Sequence, residues 1–316
     1  MVMTDRPTLD TIRDTAPHLL AELHRRQGVV RDMIRGVARG YATGCYLYGV
    51  PGTAKTHTVR QVLEQEIREP YVYQRGHLTP LGLFELIRDH PEEVIVLDDL
   101  VTIFKSDVAL QVLLSALEHP TGPDRGRVVK YRRKGETDRV VFRGGLVCIT
   151  NRQLHDADLL GAFKSRVHVL NYDPSDAQLG ALMLSVAAAG TGGDGAVTPR
   201  EAVAVAEYVI GEMLRVGAKF DLRLYFNKAL PDYVQWKDGE TESDWRDLVT
   251  AAIEEHLVTL RYTDGPPSRA ERKDEEHAIV EEIVRDCPSR EERLRAWAAR
   301  TGKSPRAFYR RLAEIR

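Results

Sequence analysis

The sequence predicts an α/β fold, a parallel sheet with helices on both faces, followed by a segment made of helices alone. Three observations predict it. Between Tyr46 and Tyr172, short apolar runs alternate with helix-like stretches, the pattern of strands buried on both faces. A glycine-rich turn, GVPGTAKT over 49–56, joins the first apolar run to the helix-like stretch after it. After Tyr172 only helical patterns remain.

The elements follow in order. Residues 8–40 are loosely helical, with Leu9, Ile12, Leu23, Val30 and Ile34 among the apolar positions. Strand 45–49 precedes helix 55–67, strand 70–74 a helix near 80–89, and strand 94–100 helix 107–118. Two short strands, 127–132 and 138–142, flank Lys134-Gly135-Glu136, whose turn chemistry suits a hairpin. Strands 145–151 and 167–172 complete the set. Helices are expected at about 175–188, 199–216, 221–236 and 242–261. TDGPPSRAERK has the proline, glycine and charge content of a linker. The organisation expected is therefore an N-terminal helical segment (1–40), an α/β core (41–173), a helical lid (174–262), a linker (263–273) and a small helical domain (274–316).

Composition narrows the class. The chain has 316 residues, 43% hydrophobic and 29% charged, in the range of a globular protein. No apolar run approaches the roughly 18 residues that span a bilayer, and MVMTDRPTLD lacks a basic-then-apolar leader pattern. No membrane partner is expected. Cys45, Cys148 and Cys287 are widely separated, and the first two lie in apolar runs. They are expected to be buried, reduced thiols, and a cytoplasmic location follows as the simplest expectation. Net charge is −2, but it is unevenly spread. Residues 125–143 carry eight Lys/Arg against two acids, and 289–316 carry nine against three. Two basic patches on an acidic body point to anionic partners.

The glycine-rich turn has the context of a phosphate-binding loop. Its backbone amides, from Gly49 through Pro51, Gly52, Thr53 and Ala54, would wrap a β-phosphate. Lys55 would reach the β/γ-phosphates, and the Thr56 hydroxyl would hold Mg²⁺. The helix opening at Lys55 adds its positive end. Ala54 stands where a second glycine is usual. Alanine resists positive φ, so this position is expected to be nearly helical. The second signature is VIVLDDL: four apolar strand residues end in two acids at the carboxyl end of the strand, where α/β sheets bind ligands. Asp98 would coordinate Mg²⁺, and Asp99 would polarise the attacking water.

Loop and acids together make residues 40–240 resemble an AAA+ ATPase, with Walker A at the loop and Walker B at VIVLDDL. The resemblance implies ATP and Mg²⁺ as cofactors and a homo-oligomer, ring or filament. It implies that Asn151, ending strand 145–151, positions the attacking water as sensor 1. Arg166 in Ser165-Arg166 resembles the arginine finger that reaches a neighbouring subunit's γ-phosphate, with Arg152 a weaker candidate. Arg223 in Asp221-Leu222-Arg223 resembles the sensor-2 arginine of the lid. Asp99 replaces the commoner Glu and is one methylene shorter. The Ala54 loop also occurs in MoxR-like members.

The hairpin before the sensor-1 strand resembles the pre-sensor-1 hairpin of ring helicases and MoxR-like proteins. Lys130, Arg132, Arg133 and Lys134, with Tyr131, would suit phosphates plus a stacking surface; a solvated hairpin with Tyr131 against the sheet is the plain alternative. In the tail, Ser289 to Glu292 form a capping box, and Ser304-Pro305 open another helix. The pattern resembles a helix-turn-helix, whose exposed Lys303, Arg306, Tyr309 and Arg310 would meet phosphates and base edges; a protein-docking bundle would carry the same pattern. The leading expectation is an oligomeric ATPase acting on DNA in replication, helicase loading or a mobile-element role. A MoxR-like chaperone acting on a protein partner and an ATP-gated scaffold with little turnover are the alternatives.

Overall fold

Strand pairing follows the apolar alternation. A computed structural model describes residues 7–67, 70–100, 102–120, 126–133, 136–151, 158–190, 196–263 and most of 276–315. In chain order its strands are β1 (Gly44–Tyr48), β2 (Tyr71–Arg75), β3 (Val94–Asp98), β4 (Arg127–Arg133), β5 (Glu136–Phe142), β6 (Gly145–Thr150) and β7 (His168–Asn171). Five of them form one parallel sheet in the order β2-β3-β6-β1-β7. β4 and β5 form a separate antiparallel hairpin.

Parallel pairing requires crossovers, and helices α2 (Lys55–Gln61), α3 (Pro80–Asp89), α4 (Asp107–Ala116) and α5 (Asp158–Arg166) provide them, after a long first helix α1 (Leu9–Ala38). Side chains alternate between two apolar layers. Tyr46, Ile95, Leu97, Leu146 and Cys148 pack with Leu83, Phe84 and Ile87 of α3 and Leu110 and Leu113 of α4. Cys45, Leu47, Val96, Val147 and Ile149 pack with Leu23, Val30 and Ile34 of α1 and Val59 of α2. Each large apolar side chain so buried contributes about 1.5–3 kcal/mol. Cys45 and Cys148 are free and buried, as expected, and burial pushes the Cys45 thiol up to about 12.

The expected single helix over 55–67 is divided. It is α-helical to Gln61 and then wound as a π-turn over Val62–Ile67. The wider turn keeps Ile67, five residues after Val62, on the same apolar layer.

Beyond β7 the chain is helical: α6 (Asp176–Ala188), α7 (Pro199–Val216), α8 (Leu222–Leu224), a π-turn (Tyr225–Ala229), α9 (Leu230–Lys237) and α10 (Trp245–Thr263). Ser175 with Gln178 and Thr198 with Glu201 form capping boxes that fix the starts of α6 and α7.

The chain divides into two compact units, 1–253 and 254–316. In the second, a helical stretch that includes Val280 and Ile283, α11 (Arg290–Thr301) and α12 (Pro305–Ile315) enclose Val280, Ile283, Trp297 and Phe308. The expected capping box is present: the Ser289 amide donates to Glu292 Oε2 at 3.1 Å, and the Glu292 amide to Ser289 Oγ at 3.2 Å. The expected linker lies, past Thr263, outside the described residues.

Candidate nucleotide site

The loop between β1 and α2 is shaped by two close approaches. A Cβ at Gly49 would fall on the Tyr172 carbonyl, and one at Gly52 on the Asp221 carboxylate. Gly52 also has φ 74°. Ala54 corrects the expectation of a nearly helical residue: it is left-handed, at φ 65° and ψ 19°. A reversal at this position opens α2 at Lys55, and alanine adopts it at about 1–2 kcal/mol of strain that glycine would avoid. Among the described residues nothing accepts from the backbone amides of Thr53, Ala54, Lys55 or Thr56. Unpartnered amides converging on a helix start fit a phosphate.

Lys55 is buried and folded back over this cradle. Its ammonium donates to the carbonyls of Gly49 (2.9 Å) and Val50 (2.7 Å) and to Asn151 Oδ1 (3.1 Å). Burial, then the nearby Arg223 charge, lowers its pKa to about 8, against the opposing pull of Asp99, Asp98 and Asp173.

The acids stand beside the loop. Thr56 Oγ1 donates to Asp98 Oδ2 at 3.0 Å. The same oxygen accepts from the Tyr73 hydroxyl on β2. Burial, then Asp98, pushes the Tyr73 phenol up to about 12, so it remains a donor. Oδ1 of Asp98 accepts from no described residue, and the Thr56 hydroxyl with this carboxylate is an oxygen set that suits Mg²⁺. β3 ends at Asp98. Asp99 is left-handed (φ 59°), and its amide donates to Ile149 O at 2.9 Å. This turn brings its carboxylate to Asn151, whose Nδ2 donates to Oδ1 at 3.0 Å and to Oδ2 at 3.2 Å. The structure thus brings Lys55, Thr56, Asp98, Asp99 and Asn151 into one cluster, and Arg223 is close enough to depress Lys55. Arg223 is exposed, and its amide donates to Asp221 Oδ1 at 2.8 Å. The Leu222 amide donates to Gly52 O at 3.1 Å, so the lid is tied directly to the loop. Tyr73 and Asp221 were missed in the sequence. Asp221 directly precedes the Leu222-Arg223 pair, but Tyr73 has no signal beyond a tyrosine-rich strand.

Arg166 lies at the other end of the sheet. Its guanidinium donates to Glu118 Oε2 at 3.0 and 3.2 Å and to Ala162 O at 3.0 Å. It borders a cavity of about 760 Å³ at the amino ends of β1, β6 and β7, lined also by Arg127, Arg143, His119 and His168. Burial lowers the Arg127 pKa to about 10, and its guanidinium is held by the carbonyls of Phe142 and Gly144. Arg152 lies outside the described residues.

On the hairpin, alternation separates the charges. Lys130 and Arg139 are opposite one another, as are Arg132 and Thr137, and all four are exposed on one face. Glu136 and Asp138 belong to the other face, paired with Arg133 and Tyr131. Tyr131 is half-buried and stacks on Phe84 at 5.5 Å, so that ring face is not open to a base. Lys134 lies outside the described residues. In the second unit Arg306, Tyr309 and Arg310 are exposed, with Arg290 5.7 Å from the Tyr309 ring. Lys303 instead pairs with buried Glu276, which also accepts from Arg311 at 2.7 Å.

No family model matches the chain, and no curated protein does. Solved structures do. The Orc1 protein of Aeropyrum pernix, solved in complex with DNA, is 14% identical over 92% of this chain and 82% of that chain, with a TM-score of 0.50. NtrX of Brucella abortus in complex with ATP is 14% identical over 94% and 67%, with a TM-score of 0.46. A RuvB variant of Thermotoga maritima is 16% identical over 93% and 88%, with a TM-score of 0.45. The chain has the AAA+ ATPase fold. No described helix is long and apolar enough to cross a membrane.

Proposed function

We propose that this protein binds and hydrolyses ATP with Mg²⁺, works as a homo-oligomer, and applies the resulting motion to DNA. The observation that carries the reading is the cluster in which Asn151 joins Lys55 to Asp99 while Thr56 meets Asp98. The amides of Thr53 to Thr56 would hold the phosphates, with Lys55 released from the Gly49 and Val50 carbonyls to meet them. Thr56 and Asp98 would hold the metal, whose charge, when bound, offsets that of the phosphates. Asp99, oriented by Asn151, would accept a proton from the attacking water. Arg223 would sense the phosphate from the lid, whose tie to Gly52 transmits the change. Arg166 would complete the site of an adjacent copy.

DNA as the substrate rests on the hairpin face. Lys130 and Arg139 stand directly opposite each other, and like charges so placed are destabilising without an anion between them. Arg306, Tyr309 and Arg310 would add a second contact, with α12 serving as the recognition helix of a helix-turn-helix. The test is ATP turnover at fixed, modest salt as DNA is titrated. Stimulation that disappears when Lys130, Arg132 and Arg139 become Ala supports the reading. Turnover indifferent to DNA, with no DNA binding in the presence of ATP, moves the substrate to a protein partner.

A further inference from the structure

We propose that Tyr73 is a positioning residue for the metal site, holding the Asp98 carboxylate in the orientation that the metal needs. The inference rests on the nucleotide reading above and adds to it a residue on the edge strand of the sheet. β2 pairs with β3 in a register that sets Tyr73 opposite Val96 and Arg75 opposite Asp98. From there the phenol reaches up to Asp98, and its hydroxyl donates to Oδ2. Thr56 Oγ1 donates to that same oxygen at 3.0 Å. Two donors on one oxygen fix the carboxylate plane, while Oδ1 accepts from no described residue and is left for a ligand. A carboxylate at the end of a strand can otherwise rotate about its terminal torsion, which is soft.

The phenol is itself held. The Arg60 guanidinium lies 4.6 Å from the Tyr73 ring centroid. Arg60 is drawn to Glu64 at 3.9 Å, and Glu64 accepts from the Tyr71 hydroxyl at 2.6 Å. A chain of contacts, Tyr71–Glu64–Arg60–Tyr73–Asp98, therefore links the π-turn after the phosphate loop's helix to the metal-side acid. Groups that orient a ligand from behind commonly change metal affinity 10–100-fold when removed. The geometry assigns Tyr73 to that role.

The experiment measures equilibrium binding of a fluorescent ATP analogue to the full chain as Mg²⁺ is titrated, beside the same analogue in EDTA. For Tyr73→Phe, affinity in EDTA should match the unsubstituted protein, and half-saturating Mg²⁺ should rise about tenfold. Arg60→Ala, a change on an exposed side chain that leaves the hydroxyl in place, should raise it less. A Mg²⁺ requirement for Tyr73→Phe that is lower, or unchanged within about twofold, overturns the proposal. So does an equal shift in both variants, since packing of β2 would then be responsible. If Tyr73→Phe does not fold, the same titration on Arg60→Ala decides, a requirement identical to the unsubstituted protein counting against the assignment. If the unsubstituted chain itself shows no Mg²⁺-dependent binding, the nucleotide reading fails and this one with it.

Discussion

Asn151 donates its side-chain amide to both carboxylate oxygens of Asp99, at 3.0 and 3.2 Å, while its own carbonyl oxygen accepts from Lys55 at 3.1 Å. One side chain thus couples the residue that would meet phosphate to the one that would meet water. Asn151→Ala removes the orienting donor and one acceptor of Lys55, whose ammonium keeps the Gly49 and Val50 carbonyls. ATP affinity should therefore stay within a few-fold while kcat falls by about 10²-fold, the lower end of what a positioned base supplies. Single-turnover hydrolysis beside equilibrium binding separates the two quantities. A fall in affinity with unchanged kcat would place Asn151 in binding alone.

Lys55 makes ATP affinity depend on pH. In the ligand-free protein its pKa is about 8, depressed first by burial and then by Arg223. Phosphate favours the ammonium, so binding takes up a proton wherever the free protein has lost it. Affinity should hold below pH 8 and fall as pH rises above it, approaching about tenfold per unit. Calorimetry in buffers of different ionisation enthalpy reads the proton uptake directly. Lys55→Arg, whose charge does not titrate in this range, should bind with a flat profile.

Gly52 is required twice, by its φ of 74° and by the Asp221 carboxylate that occupies the space of a side chain. Gly52→Ala should destabilise the first unit by about 1–3 kcal/mol. Asp221→Ala in the same chain should recover part of that loss, because it removes the clash and leaves the dihedral strain. Denaturant melts of both single variants and the double variant give the coupling. Strict additivity would mean that lid and loop are independent.

Much of this arrangement was legible in the sequence because it depends on local order. A glycine-rich turn after an apolar run, and two acids ending VIVLDDL, announce a strand-loop-helix and a strand end regardless of what surrounds them. The long-range partners were not legible. Nothing in Tyr71-Val72-Tyr73 tells that β2 joins β3 in the register that carries Tyr73 to Asp98, since register is a property of the pair. Ala54 misled for a related reason: intrinsic preference opposed a left-handed residue, and the geometry of the loop overrode it. Charge counting in the basic stretches gave their sign but not their pairing. Lys303, read as a DNA contact, also meets Glu276, 27 residues earlier in the chain, whereas Arg139, not singled out, lies on the basic face of the hairpin.

Glu276 supplies a stability prediction for the second unit. Burial pushes its pKa up, but Lys303 and Arg311 outweigh this and hold the carboxyl below its ordinary value. A depressed carboxyl contributes stability that is present above its unfolded pKa and lost as pH falls through the folded one. The unit should thus weaken below the ordinary glutamate range near pH 4.3. Glu276→Ala leaves Arg311 without that partner and should destabilise by about 2–3 kcal/mol, less than a fully buried pair because Lys303 is half exposed. Following the Trp297 environment by fluorescence during acid and denaturant titrations checks both.

Arg166 is paired with Glu118 at the end of the sheet remote from its own phosphate loop, so the proposed finger role would be exercised on another molecule's nucleotide. Arg166→Ala should abolish turnover in the oligomer while leaving ATP binding intact, by about 10³-fold for a finger supplied in trans. Lys55→Ala should abolish binding in its own subunit and leave its finger available. Mixed together, the two inactive variants should regain turnover, because an Arg166→Ala subunit with an intact loop can sit against a Lys55→Ala subunit with an intact finger. Glu118→Gln tests the restraint: with the carboxylate neutralised, Arg166 should reach a neighbouring phosphate at lower cost, raising turnover at subsaturating protein concentration. A mixture as inactive as its parts would place Arg166 outside the catalytic assembly and leave it as the partner of Glu118.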